Sequence, residues 1–386
     1  VQWLMIKNAS HSGDWAIFDM MRQFRRPNGQ HSDSRVVYAN TAGGEGGIAR
    51  CFPQPEGFGF EQETGGTVNE SGRTYLYMAI GREQATPTAG TEVFSIDAKN
   101  SSEPYFSTND HIVDMGIAKD VGGSSNHYVY TRIWDQKYLP ANSNNALLGA
   151  SEAGYDFHDG YIHSDFGGSN SYSWMWKRAR GFFDYITYVG TGSSTAFTHN
   201  LGVAPEMVWI KNVGSSQNWK VWHHNLGSGQ GLVLNSANAY EGQGYISASS
   251  LPTSSNITIG VAGSETNTSS HYYIAYLFAT LAGVSKVGSY TGTGNSNITV
   301  DCGFTSGARF VLIKRTDASG SWWIADSVRG LSSGNDALSE LNATAAQITG
   351  YNMVEPHDSG FIVNGGANKD NSWNDSGGNY VFYAIA

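Results

Sequence analysis

Charge is scarce in this chain. Asp, Glu, Lys and Arg together make up 15% of its 386 residues, against about 25% in an ordinary globular domain. Aromatic residues reach 13%. That combination excludes a disordered chain, which needs high charge and few aromatics. Positive charge is scarcer still: 23 Lys and Arg against 33 Asp and Glu leave a formal charge of −10. Nucleic-acid binding needs a basic footprint to displace counterions. The densest basic group, Arg22, Arg25 and Arg26, reads as a solvated turn. Cysteine is nearly absent. Cys51 and Cys302 stand 251 residues apart and cannot make a disulfide framework, so both are expected to be buried and inert. No apolar run approaches the roughly 20 residues of a spanning helix, and no membrane insertion is expected. Tyr272 to Val284, the best candidate, reads as a strand and a linker. No signal-like segment opens the chain, which is expected to begin inside a larger polypeptide. Helix-forming composition is missing too; only Asp336 to Ala346 reads as a helical turn.

What is abundant is glycine, 48 residues, spread with Ser, Asn and Thr between short aromatic and β-branched runs. That pattern reads as all-β. The runs also repeat. Trp3-Leu-Met-Ile-Lys7, Met207-Val-Trp-Ile-Lys211 and Phe310-Val-Leu-Ile-Lys314 are alike, with Met115-Gly-Ile-Ala-Lys119 a weaker fourth. The lysines lie 112, 92 and 103 residues apart, too long for a solenoid repeat. A polar turn follows each lysine and leads to a second strand: Trp15–Asp19, His127–Thr131, Trp219–His223 and Trp322–Asp326. Two runs joined by a short Gly/Ser/Asn turn predict a hairpin. Each unit closes on an Asn/Ser turn and an aromatic strand, at Tyr75–Ile80, Tyr172–Trp176, Tyr272–Phe278 and Tyr380–Ile385. These closing strands are apolar on both faces, as central strands of a two-layer core are.

The third and fourth units share an opener, Ile186–Gly192 and Val287–Gly294, whose Gly190, Gly192, Gly292 and Gly294 suit positive-φ turns. The first unit lacks it. Its missing strand is expected from upstream sequence, or its sheet keeps an open edge. The chain is therefore read as a linear array of four antiparallel β-sandwich domains, jelly-roll or lectin-like. They span 1–82, 94–178 (divergent), 185–279 and 286–386. Short linkers predict a semi-rigid rod.

Candidate chemistry is thin. The Gly-x-Gly pairs lack the third glycine and helix of a phosphate loop. His158 and His163 flank Asp159, with Asp165 just beyond, but no His-x-His pair exists, and His223 and His224 point to opposite strand faces. Neither a metal nor a cofactor is expected. Asp370 and Asp375, among Asn368, Asn371 and Asn374, form an oxygen-rich loop without the glutamate of an EF-hand. No carboxylate pair recurs across the units, as a glycosidase site would require, and no Gly-x-Ser-x-Gly elbow is present; no enzyme activity is expected. Asp19 and Asp326 hold equivalent strand ends and read as structural. Tryptophan is the remaining lead. In Trp322-Trp323 the two rings must occupy opposite sheet faces, so one of them is a candidate for exposure. The candidate glycan contacts are Trp322, Trp373, Asp370 and Asp375.

Four blocks together resemble a known family. They are the Y-x-G-T-G opener, L-G-V-A-P-E-M-V-W-I-K-N at 201–212, F-V-L-I-K-R-T-D at 310–317 and the N-x-S-G-x-x-Y closing block. The junctions at 176–188 and 75–82 add to them. The chain resembles the repeat-containing virion proteins of tailed bacteriophages, common among marine phages, of the tail-fibre or structural kind. The resemblance covers nearly the whole chain and is strongest in the third and fourth units. It implies lectin-like β-sandwich modules, assembly with other virion proteins, location on the virion and contact with a host surface glycan. A homo-oligomer, preferably a trimer, would suit a fibre. The alternatives are a carbohydrate-binding module array of a secreted or cell-surface protein, a head-decoration protein, and a polysaccharide depolymerase.

Overall fold

The computed structural model describes the chain apart from residues 21–33, 50, 55–56, 61–67, 83, 109, 135–136, 150–152, 156, 164–169, 243–244, 248, 261–264, 333 and 367–372. Among the described residues it is all-β, with one 3-10 turn at Gly90–Glu92. Every strand pairing is antiparallel.

Each unit is built round its lysine strand: Trp3–Asn8, Met115–Asp120, Met207–Asn212 and Phe310–Arg315. On one side pairs the hairpin strand, Trp15–Asp19, Tyr128–Thr131, Lys220–His223 or Trp322–Asp326. Register sets Lys7 opposite Trp15 and Lys314 opposite Trp322. On the other side pairs the closing strand, Tyr75–Ile80, Ser171–Trp176, Tyr272–Phe278 or Asn379–Ile385. A third strand extends the hairpin side, at Ser34–Tyr38, Lys137–Pro140, Leu232–Val233 and Asp336–Glu340. An opening strand, Phe94–Ala98, Phe183–Val189 or Ser285–Thr291, covers the outer edge of the closing strand in units two to four. Among the described residues unit one has none, and Tyr75–Ile80 is the edge of its described sheet. Asp336–Glu340 is a strand rather than the helical turn expected there, because pairing with Trp323 and Ile324 overrides its local propensity.

One face of each large sheet packs on a small second sheet of the same unit. In unit four, Val311, Ile313, Trp323 and Phe382 meet Val300, Phe361 and Val363. In unit three, Val208, Ile210 and Tyr273 meet Ile257 and Ile259. These are the expected sandwiches. The opposite faces of units two, three and four are buried against one another in a single shared core, where Met115, Trp174 and Trp176 join Met207, Trp209 and Tyr276, and Phe310, Trp322 and Tyr383. Aromatic rings meet across the unit boundaries, Phe94 with Phe310 at 5.2 Å and Phe278 with Tyr383 at 5.1 Å between centroids. The expected linear order therefore fails for these three units. A strand apolar on both faces needs two apolar neighbours, and here the second neighbour is another unit.

The three units close as a triangle, by the same bonds each time. Lys211 Nζ donates to the carbonyl of Asn144, Lys314 Nζ to those of Ala237 and Asn238, and Lys119 Nζ to that of Thr344. Unit three thus holds unit two, unit four holds unit three, and unit two holds unit four. Two residues beyond each lysine a carbonyl accepts a backbone N–H of the held unit: Leu147 to Val213, Tyr240 to Thr316 and Gln347 to Val121.

The gripped turn carries a repeat that composition hid. Asn40, Asn142, Asn235 and Asn342 each accept, through Oδ1, the backbone N–H of the residue opposite the lysine: Trp15, His127, Trp219 and Trp322. The opener glycines divide in their reasons. Gly192 and Gly294 have φ of 73° and 78°. Gly190 and Gly292 are needed for close approach instead: a Cβ would stand 2.1 Å from the Thr268 carbonyl oxygen and 2.0 Å from that of Asp375.

Candidate functional site

Of the candidate glycan contacts, Trp322 is 1% exposed and its indole donates to the Val233 carbonyl at 2.9 Å. Trp373 is equally buried, packed on Trp323 at 5.6 Å between ring centroids. Neither ring offers a face to a sugar, which corrects the expectation. Trp322 and Trp323 do occupy opposite faces of the sheet, as strand alternation requires. Both faces are covered, one by the neighbouring unit and one by the unit's own small sheet. Asp375 is tied to Arg315 at 2.8 Å and sits beside Asn374, whose Oδ1 accepts the Thr293 backbone N–H of the opener turn. Asp370 lies outside the described residues. Cys51 and Cys302 are both buried and are not joined in a disulfide. No three metal-binding side chains gather among the described residues, and Asp165 is outside them. Asp326 is buried, paired with Arg329, and accepts the Trp174 indole N–H across the unit boundary, so its place is structural.

The concave surface lies elsewhere. A cleft of about 1070 Å³ runs between unit one and the junction of units two and three. Arginine dominates it: Arg82, Arg132, Arg178 and Arg180 line the walls, with Asp19 and Asp114 the acidic residues among the lining. In a chain of net charge −10 this is a local excess of positive charge. Three of the guanidinium groups are held in place. Arg82 pairs with the buried Asp114 at 2.6 Å. Burial opposes charge on Asp114, but the Arg82 guanidinium overrides it and holds the carboxyl below its ordinary range. Arg178 pairs with the buried Asp184 at 2.6 Å, and the second Asp184 oxygen accepts the Asn200 backbone N–H. Arg132 spends its donors on four carbonyls, those of Val113, Tyr155, Phe157 and His158. Arg180 differs. Its side chain is exposed and lies against Gly202, where a Cβ would stand 2.9 Å from Nη2. A planar guanidinium on a rigid turn suits a carboxylate, sulfate or phosphate oxygen pair.

Sequence reading missed this cleft because its arginines come from two linkers and a strand end. Arg178 and Arg180 stand in the 176–188 junction and Arg82 in the 75–82 junction, segments that carry the family resemblance, and their spacing does not mark them as one charged group. Only folding brings them together.

No curated protein matches the chain. The sequence model of a family described as a domain of unknown function, DUF7483, matches residues 1–84 and 116–386. That is most of the sequence, and the chain belongs to the DUF7483 family.

Proposed function

We propose that this chain is a structural appendage protein of a bacteriophage virion, a tail fibre or related adsorption component that holds a binding surface against the host. The observation that carries the reading is the three-unit body, closed by buried lysines and a shared aromatic core. Such a body is a rigid mount, and the sequence resemblance to phage virion proteins supplies the setting. The arginine cleft supplies the contact. Its chemistry selects an acidic surface polysaccharide, and weak contacts of this kind gain by repetition on a particle.

A carbohydrate-binding array with an exposed tryptophan in each unit is the weaker reading, since Trp219 and Trp322 face the shared core. A depolymerase needs a carboxylic acid with a raised pKa in its cleft; Asp114 is shifted the other way.

Gold-labelled antibody against units two to four, applied to intact particles, tests the virion role. Label on the tail supports it. Label on the head would replace it with head decoration, and unlabelled particles would sink it. A glycan array tests the contact: acidic polysaccharides should bind, neutral ones should not, and Arg180→Glu should abolish the difference.

A further inference from the structure

Unit one carries the same sheet face that units two to four bury in their shared core, yet no described residue covers its Trp15, Leu76 and Met78. Positions follow from register. Met5 matches Ile117, Trp209 and Leu312; Met78 matches Trp174, Tyr276 and Tyr383; Trp15 matches Trp219 and Trp322. All eight matching residues are buried in that core. In unit one Trp15 is 38%, Met78 50% and Leu76 60% exposed. The opposite face of the sheet, with Leu4, Ile6 and Phe18, has its own core. A face this apolar in a soluble domain marks an interaction site.

Both halves of the clasp are present on unit one as well. In the triangle the tryptophan opposite the lysine donates to the last carbonyl of the neighbour's third strand, Trp219 to Pro140 and Trp322 to Val233. The lysine reaches the carbonyl four residues further on, at Asn144, Ala237 or Thr344. In unit one these acceptor positions are Tyr38 and Ala42. Its Asn40 turn has the same internal bonds, Oδ1 to the Trp15 N–H and Thr41 N–H to the Tyr38 carbonyl. Lys7 Nζ already donates to the Gly13 carbonyl at 2.7 Å, as Lys314 does to that of Gly320. The surface is thus self-complementary head to tail. Such an interface repeats until it closes, and in this chain it closes at three.

We infer that three copies of this chain associate through unit one, around a threefold axis that reproduces between chains the triangle formed within each chain by units two to four. Lys7 then donates to the Ala42 carbonyl of one neighbour and Trp15 to its Tyr38 carbonyl, while Trp3, Met5, Ile17, Leu76 and Met78 fill the axis. The inference rests on the internal triangle and not on the proposed virion role.

The test is the mass of the purified chain by sedimentation equilibrium at micromolar concentration. The expected result is three chains of 41.6 kDa, about 125 kDa. Met78→Asp should give a folded monomer, judged by an unchanged near-ultraviolet spectrum from units two to four. Leu251→Asp, at an exposed site off this face, should stay trimeric. Lys7→Met keeps the face apolar and removes the clasp; it should weaken association at least about tenfold with unit one still folded. A monomeric wild type, a dimer or an open polymer overturns the inference. So does a trimer that survives Met78→Asp, or a trimer whose affinity ignores Lys7→Met.

Discussion

The indole nitrogen of Trp322 donates to the backbone carbonyl of Val233 at 2.9 Å, across the boundary between units four and three. Trp219 makes the same bond to Pro140, at 2.9 Å, across the boundary between units three and two. In unit two the equivalent position is His127, a buried imidazole stacked beside Trp174 and set against the Ala343 backbone of unit four. The triangle is therefore symmetric in its lysines and broken in its tryptophans. The divergence expected of unit two has this concrete form.

Trp219→Ala removes a fully buried ring and an inter-unit hydrogen bond. The expected loss is about 3–5 kcal/mol. Trp219→Phe keeps most of the packing but removes the inter-unit bond from the indole N–H to the Pro140 carbonyl, at about 1–2 kcal/mol. Urea denaturation of both variants checks the order. A loss below about 1 kcal/mol for the alanine would show that the ring does not hold the units together.

Units two to four should unfold together. A shared core means that no one of them keeps its buried surface when another opens. Calorimetry is expected to show one transition for residues 94–386, with its calorimetric and van't Hoff enthalpies equal. Residues 286–386 made alone should expose Phe310, Leu312 and Trp322 and aggregate. Three resolved transitions would restore the picture of separate beads.

Acid should destabilise the protein at a pH where carboxylates are still ionised. Burial lowers the pKa of His127, of His223 to about 3 and of His111 to about 4. A group with a depressed folded pKa contributes stability above its unfolded value, near 6.5, and that stability is lost as pH falls toward the folded value. Asp336 works oppositely: burial raises it to about 6, so its contribution is lost as pH rises from about 4 to 6. The lowered histidines, His199 and His224 also among them, outweigh the raised Asp336 and Asp97. The buried lysines Lys211 and Lys314, lowered by burial to about 7, add no slope below that. The urea midpoint should drop between pH 6.5 and 4, and less steeply in His223→Leu. A flat profile would mean these imidazoles accept protons in the folded state.

Neither thiol should react in the native protein. Burial pushes Cys302 up to about 12, and Cys51 is 0% exposed. The thiolate is the nucleophile, so alkylation at pH 8 should label neither site until denaturant is added. Mass spectrometry that finds rapid native labelling of Cys302 would place it at the surface.

Gly292→Ala brings a methyl group to 2.0 Å from the Asp375 carbonyl oxygen. The opener turn must move, and with it the Asn374 side chain that bonds the Thr293 N–H. A loss of about 1–3 kcal/mol is expected, read from the thermal midpoint. An unchanged midpoint would show that the two turns are not held together.

Local pattern carried much of the architecture. Alternation and turn residues around Lys7, Lys119, Lys211 and Lys314 are enough to define hairpins, and the Tyr-rich runs at 272–278 and 380–385 mark the closing strands. Those are properties of a few neighbouring residues, and a sequence displays them directly. The same reading explained the double-sided apolar strands by a second layer within each unit, because sequence reports that a face is apolar and not what covers it. Only tertiary packing decided that the cover is another unit. It buried Trp322 and Trp373, withdrew them as sugar contacts, and gathered Arg82, Arg132, Arg178 and Arg180 from distant segments into one cleft. The order of apolar and polar residues along the chain dictates which side chains must leave water. Which surfaces they left it against depended on contacts more than a hundred residues apart, such as Lys119 with Thr344, whose free energy exists only when the chain is folded.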